Sequence, residues 1–139
     1  MTTLSFTVPG EPVAKGRARA FVRNGFVAHY TPEKTARYEN LVKLAAQQVM
    51  GVQLPIEGPV ALTVRVFMAI PPSWSLKKQR AAAAGELTPT KRPDLDNIVK
   101  AIKDGANGVV WKDDSQVIDV IASKRYGAPR VEVLVEALP

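Results

Sequence analysis

The chain reads as a small α+β domain, a mixed β-sheet with two main helices packed on it. Three observations predict this. Apolar and polar residues alternate strictly near the start, in the middle and at the end of the chain. Two longer stretches instead carry apolar residues at helical spacing. The two patterns are interleaved as strand, hairpin, helix, strand, helix and two closing strands, which is the order of a mixed sheet with helices on it. A length of 139 residues with 46% hydrophobic content fits one core and leaves little room for a second. Residues 1–139 are therefore expected to form one domain.

Leu4, Phe6 and Val8 alternate with Ser5 and Thr7, a half-buried first strand that Pro9-Gly10 closes. Ala20 to Val27 reads as a hairpin, with Asn24-Gly25 supplying the positive backbone angles of a tight turn. Thr31-Pro32 is a helix start, Thr as cap and Pro at the first helical position. Tyr38, Leu41, Val42, Ala45 and Val49 then recur at helical spacing until Gly51. Pro55 to Pro59 is a connector, and Val60, Leu62, Val64, Val66 and Met68 form a strand expected at the centre of the sheet. Pro71 to Thr90 is the least regular part, a basic flap with a short helix over Lys77 to Ala84 that Gly85 breaks. A second main helix begins near Asp94 or Asp96 and runs to Asn107-Gly108, where Gly suits a left-handed cap. Val117 to Ser123 and Val131 to Val135 are two closing strands, turned through Tyr126-Gly127-Ala128-Pro129.

Composition narrows the function. Formal net charge is +6 and the pI about 9.8, which implies an anionic partner. Lys15, Arg17 and Arg19 recur at every second position and project to one side if extended. Lys77, Lys78, Arg80, Lys91 and Arg92 flank the first acidic pair. The absence of cysteine excludes disulfides and thiolate metal sites. No apolar run approaches the roughly 20 residues needed to cross a bilayer. The first residues carry no basic stretch followed by an apolar one, so a soluble, cytoplasmic protein is expected.

The most informative feature is a pair of acidic pairs, Asp94/Asp96 and Asp113/Asp114, each set among cations and apolar residues. Like charges this close disfavour each other's ionisation, and a divalent cation is an effective compensation. Asp94 and Asp96 stand two apart at a helix start. Either alone is adequately explained as a helix cap, which contributes roughly 0.3–1 kcal/mol, but in an extended approach segment both reach the same side and a single ion. Asp113 and Asp114 are consecutive, so they point opposite ways, one as ligand and the other orienting a water or a neighbouring ligand. Oxygen ligands without His or Cys favour Mg²⁺, with Mn²⁺ as a substitute. Lys100, one turn after Asp96, is placed to stabilise charge on a phosphate. Asp104 continues that stripe and pairs with Lys100. Asn97 and Gln116 are candidate hydrogen-bond partners of the ligands. His29, the only histidine, reads as structural. A cation beside a basic surface suggests chemistry on phosphodiesters.

Arg92 to Lys100 (Arg-Pro-Asp-x-Asp-Asn-x-x-Lys) and Asp113 to Gln116 (Asp-Asp-x-Gln) together resemble the RusA family of Holliday junction resolvases, endodeoxyribonucleases of phage and prophage origin. The strong match covers about Lys91 to Asp119, and a weaker one runs from Pro9-Gly10 through Lys15, Arg17 and Arg19 to Tyr30-Thr31-Pro32. The resemblance implies an α+β fold, Asp94, Asp96 and Asp114 as magnesium-binding catalytic acids with Asp113 beside them, and Lys100 as the catalytic lysine. It also implies a homodimer that cuts opposed strands of a four-way DNA junction symmetrically, one site per subunit, in recombination and repair. The chain differs from the best-known pattern in having Lys91-Arg92-Pro93 in place of an arginine run, and a longer segment ahead of it. Lys15, Arg17, Arg19, Lys77, Lys78 and Arg92 are the expected phosphate contacts. Two other readings are a branched-DNA-binding module without activity, and an RNA or single-strand nuclease, which 6% aromatic content disfavours.

Overall fold

The computed structural model describes residues 3–16, 19–30 and 32–139, without the side chains at 19, 21, 23 and 28–30. The elements are β1 (Thr3–Pro9), β2 (Arg19–Arg23), β3 (Phe26–Tyr30), α1 (Glu33–Met50), β4 (Val60–Met68), α2 (Leu76–Ala83), α3 (Leu95–Ala106), a 3-10 turn (Asp114–Gln116), β5 (Val117–Tyr126) and β6 (Arg130–Ala137). The class is α+β, as the alternation and helical spacing predict.

The main sheet runs β1-β6-β4-β5. β6 is antiparallel to both β1 and β4, and β4 is parallel to β5. Register explains the core directly. Leu4, Phe6 and Val8 lie opposite Val135, Val133 and Val131, which lie opposite Leu62, Val64 and Val66. Three rows of buried apolar residues thus cross three strands on one face. Tyr38, Val42, Ala46 and Met50 of α1 and Ile98, Ala101, Ile102 and Ala106 of α3 join them in one core. The other face carries Ser5, Thr7, Thr63, Arg65 and Glu132, the polar half of the same alternation.

The Asn24-Gly25 turn is as expected, with φ of 51° and 79° and Arg23 opposite Phe26. Pro32 stands at the N-cap of α1, one position earlier than the sequence suggests. Its ψ of 141° is extended, yet its carbonyl already accepts from the Ala36 N–H at 3.0 Å. The expected Thr31 cap lies outside the described residues.

The flap at 71–90 is built around α2. Ser75 caps it by accepting from the Lys78 N–H at 3.2 Å. Gly85 (φ 81°) closes it: the Gly85 and Glu86 amides donate back to the Ala82 and Ala81 carbonyls, the paired bonds of a left-handed helix end. Trp74 meets the Tyr126 ring edge-on at 5.3 Å, and Ala82 and Pro89 are buried. The flap is anchored at three points.

The turn through Tyr126–Pro129 joins the two closing strands as expected, and those strands are not neighbours in the sheet. β6 passes to the far side of β4, while β5 stays as an edge strand. The cause is the preceding helix: α3 carries the chain from β4 back to the starting end, so β5 must enter parallel to β4.

Candidate active site

Asp94 is the N-cap of α3, extended at φ −70° and ψ 139°, and its carbonyl accepts from the Ile98 N–H at 3.1 Å. Its carboxylate makes no capping bond among the described residues. Asp96 follows in the first turn and is exposed. Both charges gain from the positive end of the helix, and the Asp94 carboxylate is not committed to holding it. Asp94 lines a groove with Ala14, Arg92, Pro93 and Asn97. The Asn97 carbonyl accepts from the Lys15 N–H at 2.9 Å, which ties the segment after β1 to this helix end.

One turn along, Lys100 Nζ donates to Asp104 Oδ1 at 3.2 Å. The other Asp104 oxygen is 3.1 Å from Lys15 Nζ, and Lys15 lies 2.9 Å from Glu39 Oε2. Burial pulls the Lys15 ammonium down, but bonds to Glu39 and Asp104 outweigh it and hold its pKa above the usual value. Lys15 therefore bridges α1 and α3 through its two ion pairs. Lys77 and Lys78 are exposed on α2, Lys78 Nζ 4.0 Å from the Trp74 ring centre. Arg92 is exposed at the groove. Arg17 and the side chains of Arg19 and His29 lie outside the described residues.

The second acidic pair follows α3 at its other end. Asn107 and Trp111 bridge there, and Trp111 is fully buried. Asp113 caps the 3-10 turn, accepting from the Ser115 N–H at 3.2 Å and from the Ser115 hydroxyl. The Ser115 hydroxyl bond, then the backbone bond, hold the Asp113 carboxyl below its ordinary pKa. Gln116 Oε1 accepts from the Asp113 N–H at 2.8 Å, while Nε2 donates to the Ile56 and Gly58 carbonyls at 2.7 and 2.9 Å. Gln116 thus ties the Asp113 backbone to the 56–58 connector. Asp114 is half-buried beside it.

The two pairs do not meet within one chain. Lys124, near the end of β5, donates from Nζ to the Lys91 and Pro93 carbonyls at 2.8 and 2.9 Å, which holds the Asp94 end of α3 there. Asp114 sits just before β5 begins. The seven residue steps from Val117 to Lys124 span about 23 Å at roughly 3.3 Å each. Among the described residues no three Asp, Glu or His side chains gather to hold a metal. Within one chain Asp94 and Asp96 therefore stand apart from Asp113 and Asp114: α3 runs against β5 and carries its N-terminal carboxylates to the opposite end.

The strand between the pairs is unusual. β5 has no neighbour on its outer side within the described sheet, and Ile118 (62%), Val120 (46%) and Ile121 (71%) are exposed on it. An apolar edge of this kind pairs with another chain unless it is blocked.

A model of the Endodeoxyribonuclease RusA family matches residues 9–136 of the chain. The chain belongs to the RusA family. The match spans both acidic pairs and the strand between them, and it makes the protein a nuclease of the Holliday junction resolvase class. The chain is also similar to "Uncharacterized protein YqaN" of Bacillus subtilis (strain 168), 45% identical over 138 residues, covering 97% of this chain and 96% of that one. No described helix of this RusA-family protein is long and apolar enough to cross a membrane. Sequence reasoning missed Lys124 altogether, and named Gln116 without its bonds to the 56–58 connector. Their roles lie in bonds to backbone carbonyls distant in the chain, which carry no local pattern.

Proposed function

We propose that this RusA-family protein is a homodimeric, Mg²⁺-dependent endonuclease that resolves four-way DNA junctions by paired symmetric cuts. The observation that carries the reading is the position of the acidic pairs at opposite ends of β5, whose outer edge has no neighbour among the described strands and exposes Ile118, Val120 and Ile121. Two copies joined along β5, antiparallel about a twofold axis, set the start of one β5 beside the end of the other. Asp113 and Asp114 of one chain then approach the partner's Asp94 and Asp96, twice over by symmetry. Each dimer has two such sites, one for each strand to be cut.

In this arrangement Asp94, Asp96 and Asp114 are the ligands of a divalent cation, Mg²⁺ or in its place Mn²⁺. Bound there, the ion supplies Lewis-acid stabilisation of the phosphoryl group and a water of lowered pKa. Asp113 keeps the 3-10 turn in shape and so fixes where Asp114 points. Lys100, oriented by Asp104, brings positive charge to the phosphate. Arg92 at the groove and Lys77 and Lys78 on the flap hold the DNA backbone. Cleavage in the cytoplasm of a bacterium, on a chromosome or an integrated phage genome, suits such an enzyme.

The test is a synthetic four-way junction with Mg²⁺. Asp94→Asn and Asp114→Asn are each expected to abolish cleavage while still binding the junction in EDTA. Variants that cut as fast as the parent overturn the assignment. A parent that binds the junction but never cuts it, and shows no carboxylate-dependent Mg²⁺ affinity, is a binding module instead.

A further inference from the structure

We propose that Lys124 is a positioning residue for the cleavage reaction: its ammonium fixes the Lys91–Pro93 segment and so sets where Asp94 and Arg92 stand. The proposal rests on the nuclease reading above.

Lys124 pairs with Val66 across the sheet, and Val66 is buried under the helices. Alternation therefore turns Lys124 to the helix side, whereas Arg125 next to it is exposed. Its Nζ donates to two carbonyls, Lys91 at 2.8 Å and Pro93 at 2.9 Å. The residues that carry them lie in neither strand nor helix, so no ladder holds this stretch in place. The Pro93 carbonyl belongs to the peptide unit that leads into Asp94. Fixing it fixes the backbone from which the Asp94 carboxylate projects, and Arg92 lies between the two anchored carbonyls. Among the described ion pairs, Lys124 has no carboxylate partner; its charge is directed at backbone oxygens. The side chain is half-buried, where such bonds compete less with water. A strand lysine used this way is a clamp between the sheet and the loop that bears the reactive acid. Partners that orient metal ligands typically change activity by about 10–100-fold when removed, and a misplacement near 1 Å has a similar effect.

The experiment compares the parent with Lys124→Met, which keeps the stem and loses the donors, and Lys124→Arg, which keeps donors. Cleavage of a four-way junction in Mg²⁺ gives kcat and KM, and amide hydrogen exchange without DNA or metal reports on residues 91–98. The methionine variant is expected to lose about 10–100-fold in kcat with KM nearly unchanged. Its exchange should rise in 91–98 and stay at the parent's level in β4 and β6, and arginine should recover most of both effects. If the methionine variant does not fold, Lys124→Gln is held to the same criteria. An unchanged kcat overturns the proposal, and so does faster exchange across the whole sheet. A parent that does not cut defeats the nuclease reading and this role with it; a parent and methionine variant that cut alike defeat this role alone.

Discussion

At Gly105 helix α3 presents bare backbone to Val42 and the Glu39 carbonyl of α1. A Cβ there would stand 2.6 Å from Val42 Cβ and 2.8 Å from the Glu39 carbonyl oxygen, so the helices must part to admit it. Gly105→Ala is expected to destabilise the fold by about 1–3 kcal/mol, the usual result of overpacking, read as a lower urea midpoint. The gain in helix propensity from Gly to Ala acts the other way but is near 1 kcal/mol. A midpoint at or above the parent's contradicts the close approach. Asp113 makes a different prediction. Its pKa is depressed below 3.8 by bonds that exist only in the folded turn. The stabilisation is therefore present above that pH and is lost as pH falls through the folded value. Asp113→Ala should melt below the parent at pH 7, and the gap should narrow on acidification below about pH 3.8. A gap independent of pH means that the charge does not matter to the turn.

Among the elements, those whose pattern has a single physical cause were legible from sequence. β1, β4 and β6 alternate because one face lies under helices, and Leu4, Val64 and Val133 are buried as their spacing demands. Asn24-Gly25 and Gly85 mark turns that need positive φ, and both positions have it. The start of α3 was visible in Pro93-Asp94-Leu95-Asp96. The neighbours of β5 were not, because a strand's pattern states which face is buried and not which strand lies beside it. The separation of Asp94 from Asp114 was hidden for the same reason, since it depends on α3 running against β5. Lys124 has no signature at all: its partners are carbonyls some thirty residues away. The flap permits a test at this scale. Lys77 and Lys78 are exposed on α2, and removing a cation that neutralises a phosphate should flatten the salt dependence of DNA binding by about 0.9 units of log–log slope. Lys77→Gln with Lys78→Gln is expected to reduce that slope by about two, measured by junction binding in EDTA over a range of NaCl. An unchanged slope removes α2 from the DNA surface.

For the whole molecule, the fold sets acids at both ends of β5 and leaves its outer edge with exposed apolar side chains and no neighbour among the described strands. In the proposed dimer, twofold symmetry converts this separation into two complete sites, each built from both chains. In that proposed assembly paired cutting follows from symmetry, because each chain contributes one half to each of the two sites. Mixing separates the two accounts most directly. Asp94→Asn and Asp114→Asn proteins, each inactive alone, are unfolded together and refolded so that the chains recombine. In a mixed dimer one site then carries both substitutions and the other carries neither. With random reassortment about a quarter of the parent's sites are restored, and the mixture should nick junctions on one strand without resolving them. A mixture that stays as inactive as either protein alone contradicts the shared site and returns the four aspartates to a single chain.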